Sequence, residues 1–287
     1  MASSPSPTTI LTVLAICLAL LHCAATPTAA QNCNCQPGLC CSKYGYCGTT
    51  STYCGEGCQS GPCSGSGSGG GGGGGSGGGN GVSVASVVTA AFFDGIKNQG
   101  GNGCAGRGKN FYTLSAFLSA ASSYPNFAHA SSADEGKREI AAFFAHVTHE
   151  TGHFCYVSEI DGESMNYCDA SDAAWPCVQG QGYYGRGPLQ ISWNYNYGPA
   201  GKNIGFDGLA NPGIVAQDPV VSFKSALWFW MDNVHLVMPQ GFGATIRAIN
   251  GALECNGKNT AEMEARVGFY QQYCRELGVD PGSNLTC

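Results

Sequence analysis

In a chain of 287 residues, 19 acidic side chains outnumber 13 basic ones, and the formal charge of −6 at pH 7 excludes a polybasic nucleic-acid or membrane-surface binder. Only 11% of the residues are charged, while 17 cysteines and 44 glycines are crowded into particular segments. Eight cysteines fall between Cys33 and Cys63 and seven between Cys104 and Cys287, a distribution that excludes a reduced cytosolic protein and points to a secreted, disulfide-stapled one.

Residues 1–30 read as a cleaved secretory signal. Residues 10–21 are an apolar run of signal-core length, too short to span a bilayer, and lead into small residues ending Thr28-Ala29-Ala30. No Lys or Arg precedes Ile10, so the α-amine alone supplies positive charge there. Residues 31–63 are too few to bury a sufficient core, and their eight cysteines must do the stapling. Without an apolar interior to enter, Tyr44, Tyr46 and Tyr53 are expected on the surface, where aromatic faces stack on pyranose rings and Ser42 can bond an amide substituent. The competing reading is that these tyrosines only cover disulfides. Residues 64–81 are almost wholly Gly and Ser, a flexible linker with an end-to-end distance of roughly 23 Å.

Residues 82–287 are long enough for a core and are expected to be mainly α. Residues 84–93 and 113–121 are apolar and Ala-rich. Ser132-Ala133-Asp134-Glu135 has the pattern of a capping box before a helix over 137–150, in which Ile140, Phe143, Phe144 and Val147 recur at i, i+3, i+4, i+7. Asp218-Pro219 supplies a cap and first-turn proline for a helix over 220–233, whose Trp228-Phe229-Trp230 belongs to the core. Asn259 opens a last helix in which Met263, Val267, Tyr270, Cys274 and Leu277 repeat at helical spacing, with Gly278 as its stop. Cys274, on that apolar stripe, is expected to be a buried, inert thiol.

His149-Glu150-Thr151-Gly152-His153 fits the zinc-hydrolase helix pattern, in which two histidines one turn apart hold the metal and the Glu acts as base. Gly152 between the supposed ligands and the lack of a third spaced His weigh against it. The alternative pairs Glu150 with Glu159. Glu150 emerges at the end of the apolar stripe, where desolvation favours its protonated form, and a helix ending near Gly152 and Cys155 lets the returning chain set Glu159 across a cleft. Two carboxyls in unequal settings are what glycoside hydrolysis requires.

Cys40-Cys41-Ser42-Lys43-Tyr44-Gly45-Tyr46-Cys47-Gly48 with Tyr53-Cys54 resembles the hevein chitin-binding module. The resemblance implies the pairings Cys33–Cys41, Cys35–Cys47, Cys40–Cys54 and Cys58–Cys63. In the larger segment, His149-Glu150-Thr151-Gly152, Trp175-Pro176-Cys177, residues 183–197 (YYGRGPLQISWNYNY), residues 223–231 (FKSALWFWM) and residues 249–255 (INGALEC) resemble plant chitinases of glycoside hydrolase family 19. The short module, Gly-rich linker and compact second domain resemble its class IV members. That resemblance implies a lysozyme-like α-helical domain in which Glu150 is the general acid, Glu159 the general base, and Ser192 helps hold the attacking water. It further implies sugar contacts from Gln190, Tyr195, Asn196, Asn250 and Lys224, with Trp175 flanking the cleft and His149, Glu254 and Arg266 forming a polar network. The pairings Cys104–Cys155, Cys168–Cys177 and Cys255–Cys287 are implied in the same way, leaving Cys274 free. The expected protein is a monomeric, extracellular endochitinase of inverting mechanism, with chitin and N-acetylglucosamine oligomers as partners, no nucleic acid, no membrane, no metal and no cofactor. A non-catalytic chitin-binding defence lectin is the alternative.

Overall fold

The computed structural model describes residues 40–41, 47–48, 82–101, 104 and 107–287. The expected signal segment 1–30 and linker 64–81 lie outside these, as do Ser42, Tyr44, Tyr46, Tyr53 and all the module's expected cysteines except Cys40, Cys41 and Cys47. The chain divides into two units, 1–75 and 76–287. In the first, β1 (Cys40–Cys41) pairs antiparallel with β2 (Cys47–Gly48), with Cys40 opposite Gly48 and Cys41 opposite Cys47. Cys40 is buried and disulfide-bonded. So short a ladder is not stable in water by itself, so covalent cross-links are the physical means of holding it.

The second unit is mainly helical among its described residues, with an irregular stretch over 152–193 that carries the isolated β-bridges Ser158–Arg186 and Arg186–Ile191. Its α-helices are α1 (Val84–Val87), α2 (Ala90–Gln99), α3 (Gly108–Phe111), α4 (Leu114–Ala121), α5 (Ala133–Thr151), α6 (Asn194–Ile204), α7 (Pro219–Phe229), α8 (Phe242–Glu254) and α9 (Thr260–Glu276). The helix expected over 84–93 is broken in two, because Thr89 is extended and its hydroxyl accepts from the Phe92 N–H as the cap of α2. Ser132 caps α5 by accepting from the Glu135 N–H, but the return bond of a capping box is not made, since the Glu135 carboxylate takes the Ser131 hydroxyl instead. Asp218 accepts from both Val220 and Val221 to open α7, and the expected continuation to 233 is made as a π-helical turn, Trp230–Val234. Periodicity did not reveal α6 or α8. The first contains Gly198, Pro199 and Gly201, and the second is kinked at Asn250 (φ −142°, ψ 29°).

Helix α5 runs through the core, with α9 packed along it and α4 packed along α7. Its Ile140, Phe143, Phe144 and Val147 are fully buried. Phe144 meets Phe92 and Phe117 edge-on at 5.4 and 4.9 Å between centroids, the arrangement that aromatic quadrupoles favour. A second cluster of Tyr183, Ile191, Tyr197, Ala200, Val215 and Trp228 underlies the loop over 181–193. Disulfides join Cys104–Cys155, Cys168–Cys177 and Cys255–Cys287, and Cys274 is free and buried, its thiol pushed up to about 11 by burial.

One buried carboxylate in this core is fully partnered. Glu139 accepts from Trp230 Nε1 at 2.8 Å and from the Ala128 N–H at 3.1 Å, and its Oε1 lies 2.6 Å from His235 Nδ1. Burial works against a charge on His235, but the Glu139 carboxylate outweighs it and raises the His235 pKa. A raised histidine pKa contributes stability that is complete below the unfolded value near 6.5 and lost as pH rises through the folded value. His235→Gln therefore lowers the melting temperature more at pH 5 than at pH 9, and equal losses at both would show that the pair is not charged.

Candidate active site

The final turn of α5 delivers Glu150 to the floor of a cleft, and Gly152 in the left-handed region (φ 57°) ends the helix immediately afterwards. Glu150 is 19% exposed, and its Oε1 accepts from Arg266 Nη2 at 2.6 Å. Arg266 comes from α9 and is buried, as is Glu254 of α8. Glu254 accepts from Arg266 Nε and Nη2, both at 2.8 Å, and from Asn250 Nδ2 at 2.6 Å. One guanidinium thus faces two carboxylates, and Glu254 takes the larger share of its donors. Although burial alone would raise Glu254, Arg266 and Asn250 lower its pKa on balance. For Glu150 burial wins over Arg266, and its pKa is raised. The group is electrically neutral when Glu150 holds a proton.

The histidines of this region stay uncharged. Burial, with Arg266 assisting, holds His146 well below the usual value and brings His149 down to about 4. The 3.3 Å contact between His149 Nε2 and Glu262 is accordingly a contact of a neutral imidazole near pH 7, although its geometry is that of an ion pair.

Past Gly152 the chain reverses through His153 and Phe154, both at positive φ, and the buried Phe154 ring stacks on Phe93 at 4.8 Å. The return leads to Glu159, on the same cleft as Glu150. Glu159 accepts from the Tyr167 hydroxyl at 2.7 Å and the Gly185 N–H at 3.0 Å, while its own N–H donates to the Gly185 carbonyl. Burial first and then Glu159 push Tyr167 up to about 12, so it remains a hydrogen donor. Arg186 braces the segment. Its Nη1 donates to the Gly182 and Tyr184 carbonyls and the Tyr197 hydroxyl, and its guanidinium lies 3.5 Å from the Tyr184 ring centroid. Gln190 and Trp193 stand at φ 46° and 73° on this segment, a backbone conformation that costs energy for non-glycine residues and clusters at functional sites.

The cleft brings together Glu150, Glu159, Gln190, Ser192 and Asn250. His149, Glu254 and Arg266 stand beside and behind Glu150. Gln190 is fixed by its Nε2 donating to the Gly187 carbonyl at 2.7 Å. The remaining expected residues are not among those lining the cleft. Tyr195 is 40% exposed and stacks on Trp193, which does line it, at 5.8 Å. Asn196 donates to the Ser192 carbonyl. Trp175 lies over Gly198 of α6, where an added Cβ would come within 2.2 Å of its ring. Lys224 sits on α7, where its carbonyl accepts from Tyr124. Sequence reasoning missed Tyr167, Arg186 and the buried pair His146 and Thr245. Tyr167 sits in an irregular segment without periodic pattern, and Gly185 acts through its backbone alone.

A zinc site of the two-histidine type needs His149 and His153 one turn apart on a single helix. Here α5 stops at Thr151, His153 is past the cap, and its ring meets Phe269 edge-on at 5.1 Å. Among the described residues no group of three or more His, Cys, Asp or Glu is disposed to hold a metal ion, and no helix is long and apolar enough to cross a membrane.

The chitin recognition protein family matches residues 23–63, and the family described as chitinase class I, of glycoside hydrolase family 19, matches residues 87–236 and 235–287. Endochitinase A of Zea mays is 75% identical over 271 residues, covering 94% of this chain and 96% of that one. Chitinase 5 of Oryza sativa subsp. japonica is 68% identical over 291 residues, covering 100% of both. The crystal structure of a family 19, class IV chitinase from Zea mays superposes with a TM-score of 0.67 at 72% identity, covering 71% of this chain and 98% of that chain. With matches spread over both segments and a helical second unit of the same fold, the chain belongs to the glycoside hydrolase family 19 chitinases and carries a chitin recognition domain at its N-terminal side.

Proposed function

We propose that the protein is a secreted endochitinase that cleaves β-1,4 bonds between N-acetylglucosamine units by a single inverting displacement. The observation that carries this is the unequal setting of two carboxyls on one cleft. Burial raises the Glu150 pKa, toward the form that can give a proton, and Glu159 accepts from the Tyr167 hydroxyl and the Gly185 N–H. A neutral carboxylic acid protonates the leaving glycosidic oxygen, and an ionised carboxylate takes a proton from the attacking water. Ser192 bordering the same cleft supports its role in holding that water, and Gln190 and Asn250 offer amides to the acetamido and hydroxyl groups of the sugar. The roles of Tyr195, Asn196, Lys224 and Trp175 rest on the family resemblance alone, as does inversion. No step calls for a cofactor. The names of the relatives support chitin as substrate, and the signal-like segment 1–30 supports secretion, with defence against fungi or insects as the setting.

Residues 31–63 are read as a surface anchor acting through Ser42, Tyr44, Tyr46 and Tyr53. Such an anchor raises the local concentration of enzyme at a polymer and contributes nothing to bond cleavage. The test compares residues 31–287 with residues 82–287 on a soluble chitin oligomer and on insoluble chitin. Both should cleave the oligomer equally, while the shortened chain loses roughly tenfold or more on the polymer. No oligomer turnover by the longer chain overturns the chitinase reading, and equal losses on both substrates mean that residues 31–81 complete the catalytic cleft.

A further inference from the structure

His146 is fully buried one helical turn before Glu150, on the same face of α5, and none of the roles above uses it. Its ring stacks on Phe242 at 4.9 Å, which fixes its plane. The Thr245 hydroxyl donates to the Phe242 carbonyl at 2.7 Å, so toward His146 Nε2, 2.8 Å away, its oxygen accepts. The imidazole is therefore the Nε2–H tautomer, with a bare lone pair on Nδ1. That lone pair lies 3.1 Å from Arg266 Nη1, which can only donate.

A guanidinium presents two forks of parallel N–H groups, one from Nε and Nη2 and the other from the two Nη nitrogens. Glu254 fills the first fork with two bonds of 2.8 Å. Glu150 lies on the side of the second and receives only the Nη2 bond, while Nη1 gives one of its two N–H groups to His146. A bidentate hold on Glu150 would favour its carboxylate form further and work against its carrying a proton.

We propose that His146 is a positioning residue: by accepting from Arg266 Nη1 it sets the orientation of the guanidinium so that Glu150 meets Nη2 alone, and so leaves Glu150 able to hold and donate the proton. This rests on the reading of Glu150 as the acid. The charged groups facing Glu150 are Arg266 and Glu262 of α9 and Glu254 of α8, with Glu159 on the same cleft, and His146 faces Arg266 and His149. A second carboxylate could not replace His146, since it would add charge beside Glu254, whereas a neutral acceptor orients the guanidinium and adds none.

The test reads the pH profile of kcat on a soluble chitin oligomer for His146→Leu, which keeps bulk and removes the acceptor, and for His146→Asn, whose side-chain oxygen falls near the place of Nδ1. His146→Leu should move the alkaline limb down by roughly one pH unit with KM little changed, and His146→Asn should restore it. NMR titration of the 13C-labelled Glu150 carboxyl should shift by the same amount. An unmoved limb and carboxyl titration in His146→Leu overturns the proposal, and so does an equal loss of kcat in both variants at every pH. Should His146→Leu fail to fold, His146→Met likewise keeps bulk and withdraws the nitrogen acceptor from Arg266 Nη1, and there an unmoved limb overturns the proposal. Failure of the acid assignment is told apart because Glu150→Gln would then retain turnover, while the carboxyl titration still decides whether His146 and Glu150 are coupled.

Discussion

Glu150→Gln lowers turnover of a soluble chitin oligomer by roughly 10²–10⁴-fold, the contribution of a positioned proton donor, and leaves retention on insoluble chitin unchanged. The substitution isolates the proton. A glutamine amide has the size and neutrality of a protonated glutamate, and its carbonyl can still accept from Arg266 Nη2, which lies 2.6 Å from Glu150 Oε1. The site therefore keeps one guanidinium and one carboxylate, and the melting temperature should stay near that of the parent. Glu150→Ala is the wrong probe, because it leaves Arg266 with an unpaired donor in a buried setting and mixes folding loss with chemical loss. If Glu150→Gln keeps most of its activity, the acid is elsewhere. The intact protein itself should lose activity as pH rises through the raised Glu150 value, since the acid must be protonated to act.

Local rules in the sequence reached a good part of this arrangement. Ser132 and Asp218 act on backbone N–H groups at helix starts that can be read within a few residues of chain, and Gly152 marks where α5 must stop. The apolar period of α5 also carries Glu150 to the end of a buried stripe, which is why its direction of titration was foreseeable. Period alone does not say what a polar residue meets, however. Taken by itself, Arg266 on α9 fits a solvated face as well as a core, and only the packing of α9 along α5 and of α8 beside them turns it inward to be 1% exposed. His146 is hidden in the same way, since its partners Thr245 and Arg266 are 99 and 120 residues away in the chain. The support of Glu159 is harder still to read, because one of its donors is a backbone N–H of a glycine and the other a tyrosine in an irregular loop.

Glu159→Gln, the complementary change, should lower turnover by a factor comparable to that of Glu150→Gln, for a different reason. Glu159 is met by two donors, the Tyr167 hydroxyl and the Gly185 N–H, which orient its carboxyl in the cleft. A glutamine there cannot take a proton from water, but its oxygen can still accept from the Gly185 N–H and its NH₂ can donate to a rotated Tyr167 hydroxyl, so thermal stability should change little while activity is lost. What separates a base from a nucleophile is the product. If Glu159 activates water, the carboxyls of Glu150 and Glu159 should stand roughly 6.5–9.5 Å apart to admit it, against about 5–5.5 Å when the second carboxylate attacks the sugar directly. A single displacement by water on a β-linkage releases the α-anomer first, whereas a covalent intermediate returns the β-anomer. Time-resolved NMR of a fresh oligomer digest reads this before mutarotation blurs it, and an initial β-anomer would overturn the water-activating role of Glu159 even with both glutamates essential.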